Sequence, residues 1–206
     1  MNPIHTKHRV IGLLGGSFNP AHAGHLHISL FAINRLSMDA VWWLVSPQNP
    51  LKDKKSLAEY DKRFESAKAI ALHPKILVSD IEKQHELYYT YKTLSYLKRR
   101  YPATQFIWMM GADNLVHFSR WQQWKKIVQM VPIMVFDRVP YSNAALHSKA
   151  SHYMKKFLKK NIDIRTMPVG STFSYHHLRP MRISSTELRK TLGKNAFLRH
   201  TKDVRG

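Results

Sequence analysis

Two histidines three residues apart, His22 and His25, follow a glycine-rich turn that reads Gly15-Gly16-Ser17-Phe18-Asn19-Pro20. Ahead of the turn runs the apolar stretch Val10–Leu14, and behind it a helix-like segment covers about residues 25–37. Strand, glycine turn and helix together aim main-chain N–H groups at an anion. Gly15 and Gly16 can adopt positive φ and admit a ligand close to the main chain. Asn19 is expected as the N-cap, with Pro20 at the first helical position. His22 and His25 then share one helical face near its positive end. Two imidazoles and a helix dipole converging on one point suit a polyphosphate. The same residues also fit a tight strand-to-helix turn with exposed histidines, in a chain that carries 13 of them.

A second anion-directed stretch lies near the C-terminus, Arg182-Ile183-Ser184-Ser185-Thr186-Glu187-Leu188-Arg189. Ser184 and Glu187 have the spacing of a capping box, which would account for a helix over 185–192. Three consecutive hydroxyls flanked by arginines exceed what a cap requires; with a helix N-terminus they form a second phosphate-binding surface. Between the two stretches stands Gly111-Ala112-Asp113-Asn114, followed by Phe118, Trp121 and Trp124. Trp121 and Trp124, three apart on an expected helix over 119–129, also fit core packing. Trp42 and Trp43 fall within a strand, where one ring points to each face, and are assigned to packing.

These residues need a frame, and the pattern of apolar runs supplies one. Strands are expected at Val10–Leu14, Ala40–Val45, Ile76–Ser79, Gln105–Met110, Ile133–Phe136 and Ile164–Pro168. Helices are expected near 25–37, 57–72, 90–100, 119–129, 144–159 and 185–192. Alternation of this kind predicts an α/β fold, a Rossmann-like doubly wound and mostly parallel sheet with helices on both faces. No repeat or linker divides the chain, so one domain over 1–206 is expected, with its core at about 9–192 and basic tails. In such a sheet ligands bind beyond the carboxyl ends of the strands, which puts the first turn and Gly111 on one rim. Residues 170–182 are expected to form a mobile loop near that rim.

Composition narrows the classes. A hydrophobic share of 44% argues for a packed globule, and no apolar stretch approaches the roughly 18 residues of a membrane span. With no cysteine, disulfides and thiolate metal sites are excluded. Met1–Arg9 has no apolar segment of a secretory signal, so a cytoplasmic protein is expected. Thirty-three Lys plus Arg against 13 Asp plus Glu give a net charge of +20, a field that favours anionic partners. Much of the excess falls on solvated helix faces such as Lys155-Lys156-Phe157-Leu158-Lys159-Lys160 or on a helix C-terminus, Lys98-Arg99-Arg100. There is no Walker loop, no Gly-x-Gly-x-x-Gly fingerprint, no zinc-protease helix and no Gly-x-Ser-x-Gly elbow.

His22-Ala23-Gly24-His25 together with Ile183-Ser184-Ser185-Thr186-Glu187-Leu188-Arg189 resembles the nucleotidyltransferase superfamily, with its HxGH and ISSTxxR motifs. The opening Gly15–Pro20 and the segment Gly111–Trp124 are similar to its bacterial nicotinate-mononucleotide adenylyltransferase branch, and the likeness spans about residues 9–192. The resemblance implies adenylyl transfer from ATP to nicotinate mononucleotide, giving nicotinate adenine dinucleotide and pyrophosphate, with Mg²⁺ arriving on ATP and no protein metal site. It implies that His22, His25, Lys52 and Arg189 act on the phosphates. ATP would be held by Gly15, Gly16, Ser17, Phe18, Gly24, Gly111, Asp113, Ser184, Ser185 and Thr186. The pyridine nucleotide would meet Thr90, Tyr91 and Trp121.

Two positions depart from that branch. Its usual Pro-Pro-His-Lys reads Asn49-Pro50-Leu51-Lys52 here, and Lys92 stands where an acid often precedes Thr93. Phosphopantetheine adenylyltransferase shares the histidine pair and the late hydroxyl motif but is typically shorter and lacks the tryptophan-rich segment. A basic nucleic-acid-binding protein on a nucleotide fold is the alternative of another class, yet no RNP signature or zinc-finger spacing supports it. ATP and nicotinate mononucleotide are thus the expected partners, without specific nucleic acid or membrane.

Overall fold

The computed structural model describes residues 9–48, 57–137, 141–159, 163–168, 170–178 and 185–192; Lys52 and Ser184 lie outside them. Strand β1 (Arg9–Gly16) alternates between two buried clusters, with Val10 and Leu14 in one and Ile11 and Leu13 in the other. This two-sided burial is what a central parallel strand requires. β2 (Ala40–Val45), β3 (Ile76–Ser79), β4 (Thr104–Gly111), β5 (Ile133–Phe136) and β6 (Phe173–His176) complete the sheet. Every pairing is parallel and the spatial order is β3-β2-β1-β4-β5-β6. That is the Rossmann order, and its direction reverses between β1 and β4, so a crevice opens beyond Gly16 and Gly111.

Helices α1 (Ala23–Arg35) and α2 (Tyr60–Ile70) cover one face, burying Ala32, Ile33, Ala67 and Ile70 against Val10 and Leu14. After the short α3 (Ile81–Gln84), the other face is covered by α4 (Thr90–Arg100), α5 (Ala112–His117), α6 (Trp124–Met130) and α8 (Lys149–Met154). These bury Leu94, Leu97, Leu115, Ile127, Val128 and Met154. Full burial of side chains this size is worth about 1.5–3 kcal/mol each. The expected fold class therefore holds. Trp43 is buried in the first cluster and Trp42 packs against the second, one ring per face as the strand dictates. No helix among the described residues is long and apolar enough to cross a membrane.

Four segments differ from expectation. Residues 164–168 form no strand: Asp163 accepts the Arg165 N–H on its side chain and the Met167 N–H on its carbonyl, so a turn forms. The sixth strand lies instead at Phe173–His176, inside the stretch expected to be a mobile loop. The expected helix over 144–159 breaks into α7 (Ser142–Leu146) and α8, because Ser148 caps a new helix by accepting the Ser151 N–H at 3.1 Å. The helix expected over 119–129 is a 3₁₀ turn at Phe118–Arg120, an irregular step, then α6, with Gln123 at φ 55° ending the continuity.

Candidate active site

β1 ends at Gly16, and neither Gly15 nor Gly16 uses the positive φ open to a glycine; that conformation falls on Phe18, at φ 45°. Gly15 is required for another reason. A Cβ there would lie 2.4 Å from the ring of Trp108, which crosses over the strand from β4. Phe18 turns its ring inward, stacked 5.2 Å from Trp43 and 4.7 Å from the His25 ring, so only its main chain faces the turn.

The cap of α1 also differs from expectation. Asn19 does not cap it: its side-chain carbonyl accepts the Ala58 N–H at 3.2 Å, and the Asn19–Pro20 peptide is cis. The cap is His22, in extended conformation, with His25 at the third helical position, and the two form a reciprocal capping box. His22 Nδ1 accepts the Gly24 N–H at 3.1 Å, and His25 Nδ1 accepts the His22 N–H at 3.2 Å. An N–H donor needs a lone pair opposite it, so each neutral ring carries its proton on Nε2. The ring centroids are 3.9 Å apart and His22 is buried. One helix start thus holds two imidazoles as adjacent Nε2–H donors, and Gly24's own N–H is engaged in the cap.

α9 (Ser185–Leu192) crosses onto this turn. Ser185 Oγ donates to the Pro20 carbonyl at 2.8 Å, and an Arg189 guanidinium nitrogen donates to the Asn19 carbonyl. A second Arg189 nitrogen reaches Thr186 Oγ1 at 3.4 Å. The first turn and the described part of the second stretch, from Ser185 to Arg189, are therefore joined.

Across the crevice, Gly111 closes β4 as the N-cap of α5, with Ala112 buried and Asp113 in the first turn. Trp121 lies half-buried in the irregular step, edge-on to Phe118 at 5.2 Å and to Trp108 at 6.0 Å. Trp124 packs edge-on against the same Phe118 and against Tyr153, but Trp121 is extended and lies outside α6, so the two are not neighbours on one helical face. The Trp108 indole N–H is buried with no hydrogen-bond partner among the described residues. Thr90 and Tyr91 are the first two residues of α4, as the expected helix over 90–100 requires, and Lys92 Nζ sits 5.9 Å from the Tyr89 ring. Behind them Thr93 donates to Glu82 at 2.8 Å, and burial pushes the Glu82 carboxyl up to about 7 against the opposing effect of that bond.

Sequence reasoning missed two polar groups of the rim. Asp137, directly after β5, accepts from Tyr175 at 3.0 Å, from His177 at 2.9 Å and from Ser142. Burial first, and then that carboxylate, push the Tyr175 hydroxyl up to about 12. An acid at the end of a strand was a legible signal. Arg63, buried within α2, had none, because an arginine in an amphipathic helix reads as surface.

A 3-2-1-4-5-6 sheet with a histidine-capped helix at its switch point and a second helix hydrogen-bonded over the cap defines the nucleotidyltransferase class. Comparison agrees: the cytidylyltransferase-like family model matches residues 13–191. A probable nicotinate-nucleotide adenylyltransferase of Methylorubrum extorquens is 44% identical over 181 residues, 87% of this chain and 98% of its own. Its counterpart in Parvibaculum lavamentivorans is 45% identical over 159 residues, 77% of this chain and 79% of its own. The Plasmodium falciparum nicotinic acid mononucleotide adenylyltransferase complexed with NaAD superposes with a TM-score of 0.67 at 22% identity, covering 95% of this chain and 90% of that one, a likeness of fold. The chain belongs to the nicotinate-nucleotide adenylyltransferase family.

Proposed function

We propose that this chain transfers the adenylyl group of ATP to nicotinate mononucleotide, releasing pyrophosphate and forming nicotinate adenine dinucleotide for NAD biosynthesis. The observation that carries the reading is the junction of α9 with the turn before the histidine cap, through Ser185, Arg189, Asn19 and Pro20. It supports the reading because hydroxyls, a guanidinium and two imidazoles then gather at one turn, a set suited to a triphosphate.

A phosphate oxygen of nicotinate mononucleotide attacks the α-phosphorus in line. The new O–P bond forms as the bond from the α-phosphorus to the bridging oxygen breaks, and that electron pair leaves with pyrophosphate. A phosphate monoester, with its second pKa near about 6, is already anionic at neutral pH. No strong general base is needed, and catalysis rests on positioning and on donors matched to the developing charge. His22 and His25 donate from Nε2 to the phosphate oxygens, and Arg189 and Lys52 supply fixed positive charge. The main chain of Gly15–Phe18, Gly111 and Asp113, and the hydroxyls of Ser184–Thr186, hold ATP. Thr90, Tyr91 and Trp121 receive the pyridine ring and its carboxylate.

Magnesium enters as part of the substrate MgATP, held by phosphates and water rather than by a carboxylate cage. The donor set fits that arrangement, since the described residues near the turn offer imidazole, hydroxyl and guanidinium groups rather than paired acids. One nucleotidyltransferase domain then does this work, in the cytoplasm, where ATP is available.

Pyrophosphate release with MgATP tests the proposal, with nicotinate mononucleotide, nicotinamide mononucleotide and phosphopantetheine offered in parallel. Fastest turnover with nicotinate mononucleotide is expected. Preference for the amide would redirect attention to Thr90, Tyr91 and Lys92, and preference for phosphopantetheine would reject the substrate while keeping the chemistry.

A further inference from the structure

Arg63 is 1% exposed, and its four hydrogen bonds all go to main-chain carbonyls. Nε donates to Ala58 at 3.0 Å, one terminal nitrogen to Ser17 at 2.7 Å and Ser46 at 2.8 Å, and the other to Pro47 at 3.0 Å. Among the described residues no carboxylate bonds to it, and the Tyr60 ring lies 5.2 Å from its guanidinium carbon. Burying an unpaired cation is costly, so a residue serving only to fill the core would more economically be apolar.

The four carbonyls are not scattered. Ser17 is the first residue after β1, Ser46 and Pro47 the first two after β2, and Ala58 stands just ahead of α2. One side chain therefore registers the carboxyl ends of two neighbouring strands against the helix that follows. Its reach extends to the histidine turn. Ser17 is held by Arg63, the Asn19 side chain by the Ala58 N–H, the Asn19 carbonyl by Arg189 and the Pro20 carbonyl by Ser185. The turn is thus gripped from inside by Arg63 and its neighbour, and from outside by α9. Only a planar fork with donors in several directions can meet these carbonyls together; an ammonium on one nitrogen cannot.

We infer that Arg63 is a positioning residue for the transfer reaction: it fixes the Ser17–His22 turn from beneath and so sets where the two capping histidines present their donors. The inference rests on the reaction proposed above. A misplacement of about 1 Å in such a site costs on the order of 10²-fold in rate.

The test combines Arg63→Lys, which keeps the charge and loses the fork, with His22→Ala in a double-mutant cycle on kcat. Arg63→Gln is carried alongside, because a neutral amide is easier to bury than a misfitted ammonium. A folded Arg63 variant is expected to lose about 10- to 100-fold in kcat, with KM for both substrates changing far less. In the His22→Ala background the same substitution should add little further loss. Amide exchange, which needs no substrate, should quicken from Ser17 to His22 relative to the interior of β1. An unchanged kcat with a lowered Tm, or the same fold loss in both backgrounds, would overturn the inference. Unchanged exchange in the turn would overturn it too, even if wild-type protein failed to turn over nicotinate mononucleotide and the assigned reaction itself fell.

Discussion

Ser185 Oγ lies 2.8 Å from the carbonyl oxygen of Pro20, a hydrogen bond across 165 residues of sequence. With Arg189 on the Asn19 carbonyl, it makes the last described helix a lateral support for the first turn. A side chain–main chain bond of this kind contributes about 0.5–1.5 kcal/mol. Ser185→Ala should therefore lower Tm by roughly 2–4 °C per kcal/mol lost in a chain of this size. Arg189→Met should cost far more in kcat, on the order of 10²–10³-fold, because it removes a donor matched to transition-state charge. Thermal unfolding and steady-state pyrophosphate release on the two variants check both expectations.

His22 has two duties that one substitution can separate. Asparagine can accept the Gly24 N–H as an N-cap does, yet has no ring Nε2–H. His22→Asn should thus keep the start of α1, while His22→Ala loses a cap worth about 1 kcal/mol. Both should lose about 10²–10³-fold in kcat. If His22→Asn retains wild-type turnover, His22 is a cap and nothing more.

Trp121 contacts Phe118 and Trp108 only by ring edges and is not fully buried. Stacking on a pyridine ring at this level is worth about 0.5–1.5 kcal/mol beyond area burial. Trp121→Ala should raise KM for nicotinate mononucleotide by about 2- to 10-fold and leave KM for ATP nearly unchanged. Equal rises for both substrates would return Trp121 to a packing role.

Glu82 links stability to pH. Its folded pKa, raised by burial from 4.5 to about 7, means that the folded protein binds more protons than the unfolded chain between those values. This group therefore makes stability fall as pH rises from about 4.5 to about 7, and the penalty is complete above that. Glu82→Gln retains an acceptor for Thr93 and removes the ionisation. The variant should match wild type near pH 4 and exceed it at pH 8, by a few kcal/mol at most, in denaturant unfolding at the two pH values. A difference independent of pH would show that the carboxyl is not titrating in this range.

What could be read from the chain alone was whatever is encoded within a dozen residues. Continuous apolar runs in Val10–Leu14, Ala40–Val45 and Ile133–Phe136 specify buried strands, because a strand covered on both faces needs apolar residues on each. The helix over Thr90–Arg100 and the histidine spacing at the first turn were legible for the same local reason. Asp163, Ser148 and Gln123 interrupt the pattern through local turn and cap geometry, which apolar periodicity does not report. Tertiary structure decided the rest. Gly15 is glycine because of a tryptophan on another strand, and Arg63 is buried because four carbonyls from three segments meet around it. The joining of α9 to the first turn depends on sheet order, and no local pattern carries it. Periodicity reports how a residue sits on its own element; a site is made where elements meet, and those contacts exist only once the chain has packed.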